Sequence, residues 1–223
     1  MIRITHVTKT YGQAQPALED INLEVQKGEF VFLTGASGAG KTTLLKLLFC
    51  EERGDAGELF VNDKDIFKLK DREIPYLRRT IGFIFQDFKL IHRKTVFENV
   101  ALPMEIVGTS SGKQIKKRVH EVLDMVQLHG HEQKFPDAIS AGEQQRVAIA
   151  RAMANHPLLL LADEPTGNLD EVLSLEIFNL LKEINTLGTT VVVATHQRQA
   201  ISKIKSHTIT LLHGKIIGSG RVP

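Results

Sequence analysis

The stretch GASGAGKT, Gly35 to Thr42, follows the pattern G-x-x-x-x-G-K-S/T. Glycines let a backbone wrap closely around a bound group. Successive N–H groups then point inward, and a helix beginning near Gly40 adds the positive end of its dipole. This is chemistry for phosphate. Lys41 can reach the β- and γ-phosphates, and the Thr42 hydroxyl can ligate Mg²⁺. The candidate phosphate-binding residues are Gly35, Ala36, Ser37, Gly38, Ala39, Gly40, Lys41, Thr42 and Thr43. A glycine-rich turn before a core helix is the bland alternative. The spacing, with an apolar run before the loop and helical spacing after it, speaks against that.

Other polar residues close apolar runs. LLLLADE ends in Asp163 and Glu164. Ligands bind at the carboxyl edge of open α/β sheets, so Asp163 is expected to orient Mg²⁺ and Glu164 to polarise an attacking water as general base. An exposed acidic pair after a core strand is the alternative, and the phosphate loop makes it the weaker one. Gln86 follows IGFIF and can reach Mg²⁺ or the lytic water. His196 follows TVVVAT and can reach a γ-phosphate. Taken alone, a glutamine or histidine at a strand end is usually a solvated cap. Tyr11 offers a ring for stacking on a base, or for packing. ISAGEQQRVAIARA, from Ile139, reads as a helix start suited to an anion: Ser140, small residues, then Glu143.

These residues need elements to position them. Ile2 and Ile4, then Ile21, Leu23 and Val25, alternate as in half-buried strands. EFVFLTG (29–35), GELFVND (57–63), IGFIFQ (81–86), LLLLADE and TVVVATH (190–196) read as further strands. Helical spacing runs over 41–50, over much of 95–133 with polar breaks such as GTSSGK, from Glu143, and over 171–187. A terminal hairpin is expected to turn at His213–Gly214. Buried strands alternating with helices predict an α/β fold with a mostly parallel sheet and a helical insert. No internal repeat or low-complexity segment is visible.

Composition bounds the class. The 223 residues are 42% hydrophobic and 24% charged, and 28 Lys+Arg against 26 Asp+Glu gives a formal charge of +2. That is globular composition, and nucleic acid is not an expected partner. The single cysteine, Cys50, excludes an internal disulfide. The N-terminus lacks the apolar core of a signal peptide, and the longest apolar runs fall well short of the ~20 residues of a membrane span.

In order, GASGAGKT, the Gln of FIFQDF, ISAGEQQ, LLLLADE, GNLD and the His of ATH resemble the ATP-binding cassette family across essentially the whole chain. The resemblance implies a RecA-like core over about 1–88 and 155–223, with N-terminal antiparallel strands, and a helical subdomain over about 89–154. It implies ATP and Mg²⁺. It also implies a head-to-tail homodimer in the ATP-bound state, with each ATP held between the phosphate loop of one copy and the ISAGEQQ signature of the other. Ser140, Gly142, Glu143 and Asp170 would then act in trans. Such a chain is expected to sit peripherally on the cytoplasmic face of the bacterial inner membrane, bound to an integral membrane subunit. Two positions depart from the common pattern. Ala141 stands where a glycine is usual, which is harmless in an ordinary helix start and costly at φ > 0. Gln197 stands after His196, where Asp is commoner.

Within the family, FQDFKLI, TVFENVALP and the short length are most similar to cassettes of bacterial cell division. Those of lipoprotein release and macrolide export share GEQQRVAIARA and GNLD. Phe97, Val100, Ala101 and Met104 form an apolar stripe that either docks the membrane subunit or packs as core, with Pro103 expected to bend or start a helix. The basic stretches 68–79 and 113–120 read as solvated helix faces or as lipid contacts. A guanine-reading NKxD is absent and the signature is present, which speaks against a switch GTPase or a kinase. Intact Glu164 and His196 speak against a non-hydrolysing scaffold.

Overall fold

A computed structural model describes residues 1–12, 15–108 and 110–222. Gln13 and Ala14, in the turn-rich stretch after Tyr11, and Thr109, in the polar break 108–113, lie outside the described residues.

Two sheets form the core. β1 (Ile2–Lys9), β2 (Leu18–Val25), β4 (Ala56–Val61) and the short β5 (Lys64–Asp65) make an antiparallel sheet in the order β2-β1-β4-β5. The second sheet contains β3 (Phe30–Thr34), β6 (Ile81–Ile84), β7 (Leu159–Asp163), β8 (Thr190–Ala194), β9 (Ser206–Leu212) and β10 (Lys215–Val222), in the order β10-β9-β3-β8-β7-β6. Its pairings are parallel except β9 with β10. That hairpin turns at His213 and Gly214, both at positive φ, as a tight two-residue turn requires.

Strand periodicity explains the two-sided burial of the parallel sheet. Phe30, Phe32, Leu160, Ala162, Val191 and Val193 face one hydrophobic cluster. The alternate residues Val31, Leu33, Leu159, Leu161, Val192 and Ala194 face the other. The second cluster continues into α1 (Lys41–Leu48) and the antiparallel sheet.

The first cluster continues into α3 (Val96–Val107), α4 (Gly112–Met125), α5 (Ala141–Met153) and α6 (Glu171–Thr186). The helical region and the sheet therefore share buried apolar surface. Val100, Ala101 and Met104 are buried in it and Phe97 packs against it, so the apolar stripe of α3 is core rather than an open docking face. Pro103 neither starts nor ends a helix: α3 runs unbroken past it. Of the basic stretch 68–79, only α2 (Ile74–Arg78) is helical. A short helix, α7 (Arg198–Lys203), follows β8. Among the described residues no helix is long and apolar enough to cross a membrane.

Candidate functional site

Parallel registry puts the candidate residues on one sheet edge. Leu33 of β3 pairs with Ala194 of β8, which also pairs with Asp163 of β7, while Ala162 pairs with Ile84 of β6. Each strand then runs out at the same end. Gly35, Gln86, Glu164 and His196 follow within two residues of those ends.

The loop from β3 to α1 is built around missing side chains. Gly35 has φ 146°, and a Cβ there would overlap the Leu211 carbonyl. Gly40, at φ 105°, comes so close to the Ala17 carbonyl that a Cβ would lie 2.6 Å from it. Gly40 also precedes α1 without any side-chain cap, and the first turn of α1 holds no acid. The free N–H groups and positive dipole end of this helix are left for an anion. Lys41 is only 7% exposed; its ammonium donates to the carbonyls of Gly35 (2.9 Å) and Ala36 (3.1 Å).

Two carboxylates complete the edge. The Thr42 hydroxyl donates to Asp163 Oδ1 at 3.1 Å. Burial pushes the Asp163 carboxyl up from its ordinary value, and Glu164 adds to the push; Thr42 and Lys41 oppose it. Glu164 Oε1 lies 3.5 Å from Lys41 Nζ, and Oε2 lies 3.0 Å from His196 Nδ1. The Glu164 backbone is left-handed, with φ 44°, strained for a residue with a side chain. Its N–H is held by the Ala194 carbonyl at 2.9 Å. A cavity of about 400 Å³ opens between Gly35, Ala36 and His196.

Gln86 is exposed two residues past β6. Asn168 Nδ2 donates to its carbonyl at 3.3 Å, which ties it to the loop after Glu164. Arg151, which sequence reading passed over, holds the same turn. Its guanidinium donates to the carbonyls of Phe88 and Lys89, both at 2.6 Å. Tyr11 lies just after β1 with its side chain exposed, and Lys9 Nζ sits 5.2 Å from its ring centre.

The signature residues form a second patch. Ser140 caps α5: its Oγ accepts from the Glu143 N–H, while Glu143 Oε2 accepts from the Ser140 N–H and Oγ, both at 2.7 Å. Glu143 is thus occupied within its own chain, and these bonds hold its carboxyl below its ordinary value, with His131 contributing further. The N–H groups of Ala141 and Gly142 begin the helix without intrahelical acceptors. Asp170 caps α6 in the same way, accepting from the Leu173 N–H at 2.9 Å. A Cβ on Gly142 would make ordinary contact with Leu173, so the starts of α5 and α6 adjoin.

Both departures from the common pattern have structural answers. Ala141 is an ordinary first helical residue without positive φ, so alanine is unstrained there. The Gln197 amide points to the Thr166 carbonyl and the Ser174 hydroxyl, 3.4 Å from each.

A phosphate cradle between a strand and a helix, with acids at the end of the next strand but one, defines a nucleoside-triphosphate-binding protein of the phosphate-loop class. The comparisons narrow this. Residues 18–167 match the ABC transporter family. The chain is 50% identical over 218 residues to the cell division ATP-binding protein FtsE of Escherichia coli K12, covering 98% of each chain. It is 48% identical to FtsE of Bacillus subtilis, covering 97% of this chain and 95% of that one. The dimeric structure of a bacterial ABC transporter cassette superposes with a TM-score of 0.91 at 40% identity, covering 100% of this chain and 99% of that one. A dimeric cassette in a post-hydrolysis state bound to ADP and Pi superposes with a TM-score of 0.90 at 38% identity, covering the same shares. This chain belongs to the ATP-binding cassette family and is an ATPase of that type.

Proposed function

We propose that the chain is the ATP-hydrolysing subunit of a membrane complex of bacterial cell division; its FtsE relatives are named cell division ATP-binding proteins. The observation that carries this reading is the separation of two half-sites. One sheet edge offers a phosphate cradle, and the starts of α5 and α6, each with a side-chain cap on its third N–H, offer their first two N–H groups elsewhere. Two copies packed head to tail would close each edge with the other's helix starts. In that arrangement residues 35–43 hold the phosphates and Tyr11 stacks on the base. Ser140, Gly142 and Asp170 approach from the second copy, with Glu143 holding Ser140 in place.

Thr42 and Asp163 supply hard oxygen donors 3.1 Å apart, which fits Mg²⁺, and Gln86, two residues past β6, would join them. No cluster of three or more His, Cys, Asp or Glu suited to a metal occurs among the described residues. A Mg²⁺ here would be held by one carboxylate, a hydroxyl, waters and substrate phosphates. When bound, the metal would neutralise charge on the β- and γ-phosphates.

Glu164 accepts the proton of the attacking water. His196 keeps Glu164 oriented and reaches the γ-phosphate. Lys41 exchanges its two carbonyl acceptors for phosphate oxygens. Hydrolysis would release the two copies, so the cycle moves parts rather than only making product. The mechanical load is an integral membrane subunit of the FtsX type, with this chain peripheral to it on the cytoplasmic face. The work delivered across the membrane activates peptidoglycan hydrolases.

The test is capture of Glu164→Gln protein with ATP from detergent-solubilised native membranes. Recovery of a four-span FtsX-like subunit supports the reading. Recovery of a lipoprotein-release or exporter permease replaces the biology and leaves the site roles. Recovery of ribosomes alone contradicts the membrane assignment.

A further inference from the structure

The loop between α4 and α5 places a histidine against the signature. His131 Nε2 lies 2.9 Å from Glu143 Oε1, and His131 Nδ1 lies 3.3 Å from the His129 carbonyl. The other oxygen of Glu143 accepts from both the N–H and the hydroxyl of Ser140. Carbonyls and ionised carboxylates only accept. Both ring nitrogens of His131 therefore face acceptors, and both must carry hydrogen for both contacts to form.

Resting on the two-copy reading above, we infer that His131 is a positioning residue for the signature, acting on Ser140 through its hydrogen bond with Glu143 Oε1. The Ser140 hydroxyl gives its hydrogen to Glu143 at 2.7 Å. To donate to a phosphate oxygen it must leave that carboxylate. The carboxylate would then stand uncompensated close to a polyphosphate and repel it. A ring donor on Oε1 offsets part of that charge and keeps Glu143 placed once the hydroxyl has turned away. The His131 side chain is 22% exposed and that of Glu143 33%, so solvent screens the pair only in part.

Other charged groups nearby are already paired. Glu132, next in the chain, pairs with His120 of α4, and Asp124 of α4 pairs with His129. Arg146 of α5 pairs with Glu176 of α6. Of Lys134, in the same loop, it is the backbone N–H and not the ammonium that donates to the His131 carbonyl. Among the described residues, the His131 ring is the basic side chain paired with Glu143.

The experiment is sedimentation of the Glu164→Gln protein with Mg-ATP in parent, His131→Ala and His131→Lys forms, with thermal melts of each without nucleotide. His131→Ala is expected to weaken the dimer by about threefold per site, or about tenfold over two sites. His131→Lys returns a donor to Glu143 and is expected to restore the parent's affinity. Unchanged affinity in His131→Ala, or a loss that His131→Lys does not restore, would overturn the inference alone. A parent that binds ATP and never dimerises would overturn the two-copy reading and this inference with it.

Discussion

Glu164 sits in a left-handed backbone between Lys41 and His196, and each of its oxygens has a basic partner. Strain of this kind persists only where surrounding structure imposes it. Lys41 is buried for the opposite reason: two loop carbonyls hold a cation inside an otherwise open cradle. Replacing Lys41 by Ala is expected to weaken ATP binding about tenfold to a hundredfold, the worth of a charge-assisted bond. Isothermal titration checks this, and normal affinity would contradict the phosphate-loop assignment. Asp163 behaves differently because burial raises its pKa. The folded state then binds that proton more tightly than the unfolded state. Ionisation costs stability as pH rises from the ordinary carboxylate value through the raised one, and the cost persists at neutral pH. Asp163→Asn keeps an acceptor for Thr42 and removes the charge. Without nucleotide its Tm at neutral pH should equal or exceed that of the parent, the difference vanishing in acid, while Mg-ATP turnover collapses. A lower Tm without nucleotide would show that the carboxylate is structural.

At the scale of elements, two helix starts carry the account, and they are built differently. α1 begins at an uncapped left-handed glycine, which leaves its N-terminus to a ligand. α5 begins with a complete capping box, which fixes where Ala141 and Gly142 point. Ser140→Ala should cost about 1 kcal/mol of stability through the lost cap and also weaken ATP-driven association. Ala141→Gly should cost less than about 1 kcal/mol and leave association unchanged, since position 141 is already helical. Thermal melts with sedimentation on both variants separate the two effects; tighter association in Ala141→Gly would mean the helix start rearranges on binding. The helix start was legible as S-x-x-E before an apolar run. The destination of Glu143 was not, because the same spacing serves either an anion site or a cap. Arg151 was invisible for another reason. It reaches carbonyls more than sixty residues back, and such contacts leave no periodic trace.

The whole molecule follows from strand order. Apolar runs ending in polar residues were readable, and parallel pairing then forces those ends onto one edge, so the gathering of the candidate residues there was legible almost complete. The side on which the α3 stripe lies was not, since an apolar face does not declare its neighbour; here it is the shared core. Neither could the sequence's local patterns bring the starts of α5 and α6 together, because that depends on helix packing. That packing matters most, for it makes a second anion-seeking patch apart from the phosphate loop. On the two-copy reading proposed above, one chain would hold two complementary halves, and two chains would hold two whole sites.

The most direct measurement is the solution mass of the Glu164→Gln protein with and without Mg-ATP, alongside its turnover. A general base contributes about a hundredfold to ten-thousandfold, so hydrolysis should fall by that order while ATP stays bound. The mass should double with Mg-ATP and return to that of one chain when nucleotide is removed. A protein that binds ATP, fails to hydrolyse it and remains a single chain at every concentration would contradict the shared-site account. Unchanged turnover would remove Glu164 from the role of base.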